Sequence, residues 1–562
     1  MQLSEQELVR REKLSQLRAL NINPYPAALF PLDHTTKQIK SAFEEGKKVV
    51  IAGRLMSRRI QGKASFAELQ DSEGRIQVYF NRDEICKSED HTKYNEVYKK
   101  LLDIGDFIGI EGVLFTTKVG EKTVMVKEFT LLSKSLKPLP LPKTDSEGKT
   151  YDEFNDPEMR YRQRYADLVV NPHVKEVFIK RSKLFTAMRT FFNNRNYMEV
   201  ETPILQSIPG GAAAKPFITH HNALDIPLYL RIANELYLKR LIVGGFDGVY
   251  EFSKNFRNEG MDRTHNPEFT AMEIYVAYKD YHWMMEFTEQ LLEYCAIAVN
   301  GTTKATFTKH EIDFKAPYPR VTMTNAIKQF TGFDISGKNE EELRKAAREM
   351  HVTVDETMGK GKLIDEIFGA KCEGNFIQPT FITDYPKEMS PLCKEHRDNP
   401  ELTERFELMV CGKEIANAYT ELNDPIDQLQ RFEEQVKLSE KGDDEAMFID
   451  RDFVRALEYG MPPTSGLGIG MDRLIMFLTN NPSIQEVLFF PQMRPERKVE
   501  LTEEEKMVLH ILKPLKKMKL EDLKTQVALS NKKWDTAIKG LTTKKKMAQV
   551  EKTEEGLFVE LK

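Results

Sequence analysis

The chain has 562 residues, of which 40% are hydrophobic and 30% are charged. This length predicts two to four domains, and this composition is that of a folded globular protein, which excludes a disordered or membrane-embedded chain. No apolar run is long enough for a membrane span, and residues 1–20 are too charged for a signal peptide. We therefore expect a cytoplasmic enzyme with no membrane association. The net charge of −5 also excludes a polycation, so a polyanion would have to be bound by local patches.

The five cysteines are scattered, with no C-x-x-C pair and no histidines at metal-ligand spacing. We predict neither disulfides nor structural zinc.

Residues 1–142 begin with a helical pattern that Pro24 and Pro26 end. Alternating apolar residues then predict five strands, with a helical piece at 94–102 between the third and the fourth. This order predicts an OB-fold barrel, a scaffold that often binds single-stranded nucleic acid, although the number of strands fits any small barrel equally well. The predicted strands are 49–59, 65–71, 75–80, 106–116 and 123–132.

A proline-rich spacer at 137–143 leads into residues 143–497, where helices alternate with apolar strands as in an α+β domain with a large sheet. Within it, residues 321–388 are more helical and charged, and we interpret them as an insertion.

Residues 498–562 form a third region with its own pattern. Predicted helices at 503–515, 520–528 and 532–545, followed by a hairpin at 547–561, suggest a basic winged-helix-like module. Eleven lysines lie between positions 513 and 546. They indicate either a surface for a polyanion or the solvated face of an amphipathic helix.

The stretch 255–275 concentrates residues that bind charged ligands. If it forms two strands joined by a loop, Arg257 and Glu259 share one face, because side chains alternate with period two. Phe269, Glu273 and Tyr275 then share one face of the second strand. Arginine and histidine suit phosphates, an aromatic ring suits a base, and a carboxylate suits an ammonium group.

Two other segments could build one site together with it, although residues 191–203 taken alone fit plain core. Residues 191–203 predict a helix leading into a strand that Pro203 ends. At 466–473, three glycines and an arginine precede an apolar helix, where the backbone can approach a ligand closely and a helix start favours anions. The glycine spacing is not that of the dinucleotide-binding fingerprint.

A hairpin turn at Cys411 and Gly412 would place Glu407 and Glu414 on one face. Two carboxylates suit Mg²⁺, which prefers oxygen ligands, whereas the alternative is a pair of surface glutamates. In a straight strand Asn417 and Glu421 would lie on the opposite face from Glu414. We therefore predict a bulge or bend near residues 416–418.

Segments 191–203, 255–275 and 466–473 together resemble motifs 1, 2 and 3 of the class II aminoacyl-tRNA synthetases. The resemblance covers about residues 1–497 and is nearest to the members that activate lysine, which also share the segments 231–240, 405–409, 413–417 and 420–424. Related enzymes commonly have proline where Asn234 stands, a departure that leaves Glu235 in place.

This resemblance implies an antiparallel-sheet catalytic core in which the carboxylate of lysine attacks the α-phosphate of ATP. Such a reaction needs positioning and charge neutralisation and no general base. The cofactor is Mg²⁺, roughly two or three ions bound with ATP. The implied catalytic residues are Arg257 and Arg473, and the implied metal ligands are Glu407 and Glu414. The implied ATP contacts are Arg257, Glu259, His265, Asn266, Phe269, Glu414 and Arg473. The implied lysine contacts are Gly211, Glu235, Arg257, Glu273, Tyr275, Asn417 and Glu421.

The resemblance also implies a homodimer with the region around Pro203 at its interface, acting on tRNA(Lys). The barrel would bind the anticodon through a stacking ring and three polar side chains, although Phe66 could instead belong to the barrel core. These residues are Arg59, Phe66, Gln77 and Glu128. Two other interpretations are a ligase that modifies a protein, which would be expected to lack the barrel, and a nucleic-acid-binding protein with an inactive core. An inactive core should have lost Arg257, Glu407, Glu414 or Arg473, and all four are present.

Overall fold

The computed structural model describes residues 3–144, 150–151, 154–212, 214–356, 358–440, 449–495, 501–545, 547–553 and 556–561. The chain divides into two compact units, residues 1–492 and 493–562. Within the described residues, no helix combines the length and the apolar character needed to cross a membrane.

The first unit begins with a closed five-stranded barrel of strand order β1-β2-β3-β5-β4. Alternate residues of each strand are buried inside it, as in β2 and β3. The predicted strands are confirmed to within two residues at each end, and a π-helical segment at Lys93–Leu101 follows the third. The elements of this part are α1 (Glu5–Ala19), α2 (Thr36–Ser41), β1 (Lys48–Gln61), β2 (Ala64–Gln70), β3 (Arg75–Asn81), α3 (Arg82–Ile85), β4 (Phe107–Thr116) and β5 (Lys122–Ser133).

The rest of the first unit is built on a large sheet of strand order β16-β17-β19-β20-β21-β13-β12-β8, with β18 paired to β19. Its strands are mainly antiparallel. The strands of this part are β6 (Lys143–Thr144), β7 (Thr150–Tyr151), β8 (Met198–Glu199), β9 (Leu205–Gln206), β10 (Ile218–His221), β11 (Ile226–Leu230), β12 (Gly248–Phe256), β13 (Glu268–Ala277), β14 (Lys304–Phe307), β15 (His310–Asp313), β16 (Arg320–Thr322), β17 (Thr380–Pro386), β18 (Glu395–His396), β19 (Asn399–Val410), β20 (Lys413–Thr420) and β21 (Thr464–Gly470).

One face of this sheet is covered by long helices, and the other carries the polar groups. Met272, Leu467 and Ala418 point from the strands into the main core, where aromatic residues of α6 and α8 pack. The opposite face is flanked by α7 and α13. The helices are α4 (Pro157–Arg162), α5 (Arg164–Val170), α6 (Pro172–Asn193), α7 (Glu235–Val243), α8 (Tyr281–Asn300), α9 (Met323–Thr331), α10 (Glu340–Glu349), α11 (Lys360–Lys371), α12 (Pro425–Glu440), α13 (Arg451–Glu458), α14 (Met471–Leu478) and α15 (Ile484–Val487).

Residues 321–388 contain α9 to α11 and have a separate apolar core. This segment contacts the turn between β19 and β20. Cys411 N donates to Ile377 O at 3.1 Å, and Gly412 N donates to Phe376 O at 3.0 Å. A Cβ on Gly412 would lie 3.0 Å from Gly374 Cα, so only glycine allows this approach without a shift.

Among its described residues, the second unit has three α-helices and a sheet of strand order β22-β24-β23 around an apolar core that includes Trp534. Thr502 and Glu505 form a capping box at the start of its first helix. Strand β22 was missed from the sequence, because three residues carry too little pattern to predict a strand. The elements are α16 (Glu503–Leu515), β22 (Lys517–Lys519), α17 (Leu520–Val527), α18 (Asn531–Lys539), β23 (Ala548–Thr553) and β24 (Gly556–Leu561). The likeness to a winged helix stays a prediction.

Candidate active site

The floor of the candidate site is the open face of strands β13, β21 and β20. In the sheet register Gly466 lies between Tyr275 and Tyr419, and Gly468 lies between Glu273 and Asn417. The glycines precede a helix as predicted, since α14 begins after Gly470, but they belong to strand β21, and Arg473 lies within the helix. Their missing side chains leave room for those of the neighbouring strands.

Gly466 is the most tightly enclosed of these glycines. A Cβ there would lie 2.7 Å from Tyr275 Cδ1, and closer still to Glu421 Oε1. At Gly468 the nearest atom would be Glu273 Cγ at 3.7 Å, which is an ordinary contact distance. The phenol of Tyr275 donates to Glu273 Oε2 at 3.0 Å, as expected for two residues on the same face of a strand.

Three buried carboxylates lie in this pocket: Glu235 at the start of α7, Glu273 on β13, and Glu421 just after β20. Lys239, one turn along α7, has its Nζ 2.5 Å from Glu235 Oε1 and also pairs with Glu421. Tyr419 donates to Glu235 Oε1 at 2.6 Å. Among the described residues, Lys239 is the one cation that forms ion pairs with these carboxylates.

When its three carboxylates are ionised, the pocket holds more negative than positive charge. Burial and repulsion from Glu235 raise the pKa of Glu273 to about 8. Burial also raises the pKa of Glu421 well above its usual value, although Lys239 acts in the opposite direction. Within the described chain, Glu421 Oε1 is buried and has no hydrogen-bond donor. An unsatisfied buried carboxylate is costly, and a cationic ligand would satisfy it.

Other predicted residues border this pocket. Gly211 has φ +87°, and a Cβ there would lie 3.3 Å from Glu235 Cβ, so the loop containing Gly211 lies against Glu235. Asn234 is buried and donates from Nδ2 to Glu251 Oε2 at 2.9 Å. Arg231 NH1 donates to the other oxygen of Glu251 at 2.7 Å. Asn234 thus holds the start of α7 against strand β12.

The hairpin predicted at Cys411 and Gly412 is confirmed, with Val410 opposite Lys413 and Met409 opposite Glu414. Leu408 then pairs with Ala416, which leaves Ile415 as an extra residue on β20. The predicted bulge is therefore present, one residue before the predicted range. It places Asn417 opposite Glu407 and so on the same side as Glu414.

Glu407 is mostly buried, with Arg405 NH2 2.6 Å from its Oε1, whereas Glu414 is partly exposed. Burial and repulsion from Glu414 raise the pKa of Glu407 to about 8. Glu407 is therefore not a surface glutamate, which was the alternative prediction for this pair. No group of three or more possible metal-ligating side chains occurs in the described part of the chain. Two carboxylates with mutual repulsion fit a divalent cation whose other ligands are oxygens of a bound phosphate or water.

The residues predicted to bind phosphate and base lie around the loop after β12. Arg257 and Glu259 follow the end of that strand, so they are loop residues. The guanidinium of Arg257 lies over the Phe269 ring, 5.1 Å from its centroid, and its buried Nε has no hydrogen-bond partner among the described residues. Glu259 is exposed. This arrangement leaves Arg257 with an unsatisfied donor at the edge of the site.

Arg473 connects the loop and the hairpin. Its NH1 donates to Glu414 O at 2.8 Å, and its NH2 lies 3.0 Å from His265 Nε2. The opposite ring nitrogen of His265 lies 2.8 Å from Asp262 Oδ2. Asn266 Nδ2 donates to Glu268 O at 2.6 Å, which stabilises the end of the loop. Arginine, histidine and carboxylates from three separate segments thus meet on one face of the sheet.

Comparison with known proteins identifies the group to which this architecture belongs. Residues 156–494 match the family described as tRNA synthetases class II (D, K and N), and residues 49–132 match the OB-fold nucleic acid binding domain. A protein of Christiangramia forsetii named "Lysine--tRNA ligase" is 79% identical over 561 residues, which are 100% of this chain and 98% of that protein. The chain belongs to the class II lysine--tRNA ligase family.

Two other ligases of this name differ in how much of their length is matched. That of Porphyromonas gingivalis is 69% identical over 88% of this chain and 87% of its own length. That of Azobacteroides pseudotrichonymphae is 63% identical over 88% of this chain and 99% of its own length. About an eighth of this chain therefore has no counterpart in the latter ligase.

The OB-fold barrel has a cavity of about 290 Å³ on its outer surface, lined by Arg59, Phe66, Gln77 and four neighbours. Phe66 is half-buried on the outside of β2, whereas Ala67 and Leu69 point into the barrel core, so Phe66 does not belong to that core. Its ring lies 4.9 Å from that of Tyr79. Glu128 pairs with Lys93 and does not line the cavity.

Three side chains of the candidate site were not predicted from the sequence: Lys239, Arg405 and Tyr419. Arg405 Nε lies 3.2 Å from Asn417 Oδ1, and the same side chain pairs with Glu407. The spacing of Lys239, four residues after Glu235, was a usable signal, because such residues are neighbours on a helix. The position of Tyr419 could be predicted only with the bulge in place.

Proposed function

We propose that this member of the lysine--tRNA ligase family activates lysine with ATP, releases pyrophosphate, and transfers lysine to the 3′-terminal adenosine of tRNA(Lys). The observation that carries this proposal is the buried set of Glu235, Glu273 and Glu421, with which Lys239 is the one cation paired among the described residues. When ionised, three carboxylates and one ammonium leave two negative charges. Free lysine supplies two ammonium groups, whereas aspartate or asparagine does not match this charge.

In the proposed complex, Glu235 and Glu421 bind the side-chain ammonium of lysine, and Tyr275 assists them. Glu273, Asn417 and the backbone of Gly211 bind the α-amino end. The glycines of β21 support this assignment, because they leave space between Tyr275 and Tyr419 and between Glu273 and Asn417. Arg257 then contacts both the carboxylate of lysine and the α-phosphate of ATP.

The ATP assignment follows the same geometry. Phe269 and Arg473 hold the adenine, Glu259 accepts from its amino group, and His265 and Asn266 lie towards the distal phosphates. Glu407 and Glu414 fit Mg²⁺, which would neutralise the charge of the phosphates when bound. Arg257 and Arg473 stabilise the negative charge that develops as pyrophosphate leaves, and so act as catalytic residues.

For tRNA, we propose that the barrel cavity binds an anticodon base. Phe66 stacks on the base, while Arg59 and Gln77 form hydrogen bonds to base edges. The cavity lined by these three residues supports this role. Glu128, whose contact is with Lys93, is proposed as a more distant anticodon contact.

We also propose a homodimer in the cytoplasm, where translation takes place. The region around Pro203 and the small sheet β10-β11-β9 expose several apolar side chains, and Ile218 is 69% exposed. Apolar residues exposed together in this way are characteristic of protein interfaces. They are Met198, Ile204, Leu205, Ile218, Leu224 and Ile226.

For the second unit, we propose a winged-helix-like module that adds affinity for tRNA through Lys532, Lys533 and Lys539, which are exposed on α18. Lys533 also pairs with Glu504 at 2.9 Å. Lys545 pairs with buried Glu505, and this ion pair stabilises the core of the unit. Lys544 belongs to the same predicted set, and Lys546 lies outside the described residues.

Amino-acid-dependent exchange of pyrophosphate into ATP tests the proposed activation step. The experiment compares all twenty amino acids and then measures transfer of lysine to tRNA(Lys). Exchange with lysine well above the other nineteen, followed by tRNA charging, is the expected result. No exchange with lysine would reject the proposal, and exchange without tRNA charging would favour a ligase that modifies a protein.

A further inference from the structure

Lys239 lies in the candidate lysine pocket, and no part of the proposed reaction yet accounts for it. The inference rests on the proposed function. Lys239 is fully buried, and its ammonium group lies between the two carboxylates assigned to the side chain of the substrate. A lysine of the protein thus already pairs with both of the groups that should recognise a lysine.

Aromatic rings surround this ammonium group. Nζ of Lys239 lies 5.4 Å from the ring centroid of Tyr419, 5.8 Å from that of Phe453 and 6.0 Å from that of Tyr275. Rings at this distance attract a cation and exclude water from around it. The two ion pairs and the rings together fix the position of Nζ, so Lys239 is a rigid part of the pocket wall.

The pair of carboxylates depends on this cation. Two neighbouring carboxylates buried without a cation would be strongly unfavourable, because water does not screen the repulsion between their charges. The fixed cation compensates one negative charge and leaves the other for a ligand. Glu421 Oε1, which has no donor in the described chain, is the oxygen that remains available.

We propose that Lys239 is a positioning residue for substrate recognition, whose two ion pairs orient Glu235 and Glu421 so that both accept from the side-chain ammonium of lysine. The contacts of Lys239 given above include none of the side chains assigned to ATP. Removing it should therefore weaken the use of lysine and leave the use of ATP unchanged.

The test is Lys239→Ala in the full chain, with pyrophosphate exchange measured against lysine and against ATP. We expect the KM for lysine to rise about tenfold to a hundredfold, the range of one charged hydrogen bond, and the KM for ATP to change less than about twofold. Lys345→Ala, on the exposed face of α10, is the matched control and should match the wild type.

Chemical rescue separates positioning from simple filling of space. Propylammonium has the atoms that Lys239→Ala removes, and 1-propanol has nearly the same shape without the charge. We expect propylammonium to restore lysine-dependent exchange in Lys239→Ala and only to compete with lysine in the wild type. Equal rescue by 1-propanol would overturn the proposal.

Lys239→Met, which keeps the length of the side chain, is measured in parallel in case the alanine variant does not fold, with circular dichroism to establish folding. A folded variant with an unchanged KM for lysine, or with equal increases for lysine and ATP, would also overturn the role of Lys239. Failure of the proposed function gives a different result, because the wild type itself would then show no exchange with lysine.

Discussion

Replacing Gly466 by alanine tests the geometry of the pocket directly. The added Cβ would lie 2.7 Å from Tyr275 Cδ1 and even closer to Glu421 Oε1. Both of these side chains are almost fully buried, so neither can move into solvent. Because the φ angle of Gly466 is not in the left-handed region, the effect of alanine is steric and does not arise from backbone strain.

The size of the effect follows from what must move. Overpacking in a buried site costs about 1 to 3 kcal/mol of stability. Displacing Glu421 should also weaken one charged hydrogen bond to lysine, worth about 1.5 to 3 kcal/mol. At about 1.4 kcal/mol for each factor of ten, the KM for lysine should rise roughly tenfold to a hundredfold.

The assay is pyrophosphate exchange with lysine and ATP varied separately, together with thermal unfolding. Gly369→Ala, on the exposed side of α11, is the control, since its Cβ would lie 3.9 Å from the nearest atom and should leave the KM for lysine unchanged. If Gly466→Ala used lysine as well as the wild type, the placement of Glu421 and Tyr275 beside this glycine would be refuted.

Four other outcomes are expected. Glu235→Gln should weaken lysine use by about 1.5 to 3 kcal/mol, measured as kcat/KM, while exposed Glu341→Gln should not; unchanged kinetics would remove Glu235 from the site. Burial and repulsion from Glu235 raise the pKa of Glu273 to about 8. Below that pH, Glu273 carries a proton when no lysine is bound, and a bound ammonium group displaces this proton. The KM for lysine should therefore fall as pH rises from about 6.5 to 8.5, and calorimetry in buffers of different ionisation enthalpy should detect proton release; a flat profile contradicts this. Phe66→Ala should raise the KM for tRNA by the factor that corresponds to a loss of about 1 to 3 kcal/mol of binding energy, without changing pyrophosphate exchange. An equal effect on both would place Phe66 outside tRNA recognition. Truncation after Arg497 should weaken tRNA binding and reduce its salt dependence, and identical salt slopes would exclude the second unit from tRNA contact.

The sequence predicted the elements whose pattern is local. Alternation along β13 correctly placed Glu273 and Tyr275 on one face, as their hydrogen bond shows. The two-residue turn fixed the pairing of Met409 with Glu414. The conflict between Glu414 and Asn417 also required a bulge, and the structure has one at Ile415.

What the sequence did not reveal depends on the packing of distant segments. The glycines before α14 resemble a loop when taken alone, and they extend as a strand only because β13 and β20 pair on either side. Lys239 meets Glu421 through a contact between residues far apart in the chain, which no local pattern can show. Arg257 lies beyond the end of its strand, because the loop after Phe256 leaves the sheet there.

The contact between Gly412 and Gly374 has a consequence for protein engineering. Residues 321–388 carry no predicted chemistry and would be considered for deletion in a shortened enzyme, although they include β17 of the large sheet. Their deletion would remove the carbonyl acceptors of Cys411 and Gly412, at the tip of the hairpin that carries Glu407 and Glu414. This segment therefore anchors the hairpin, and a shortened chain would need other acceptors for these two N–H groups.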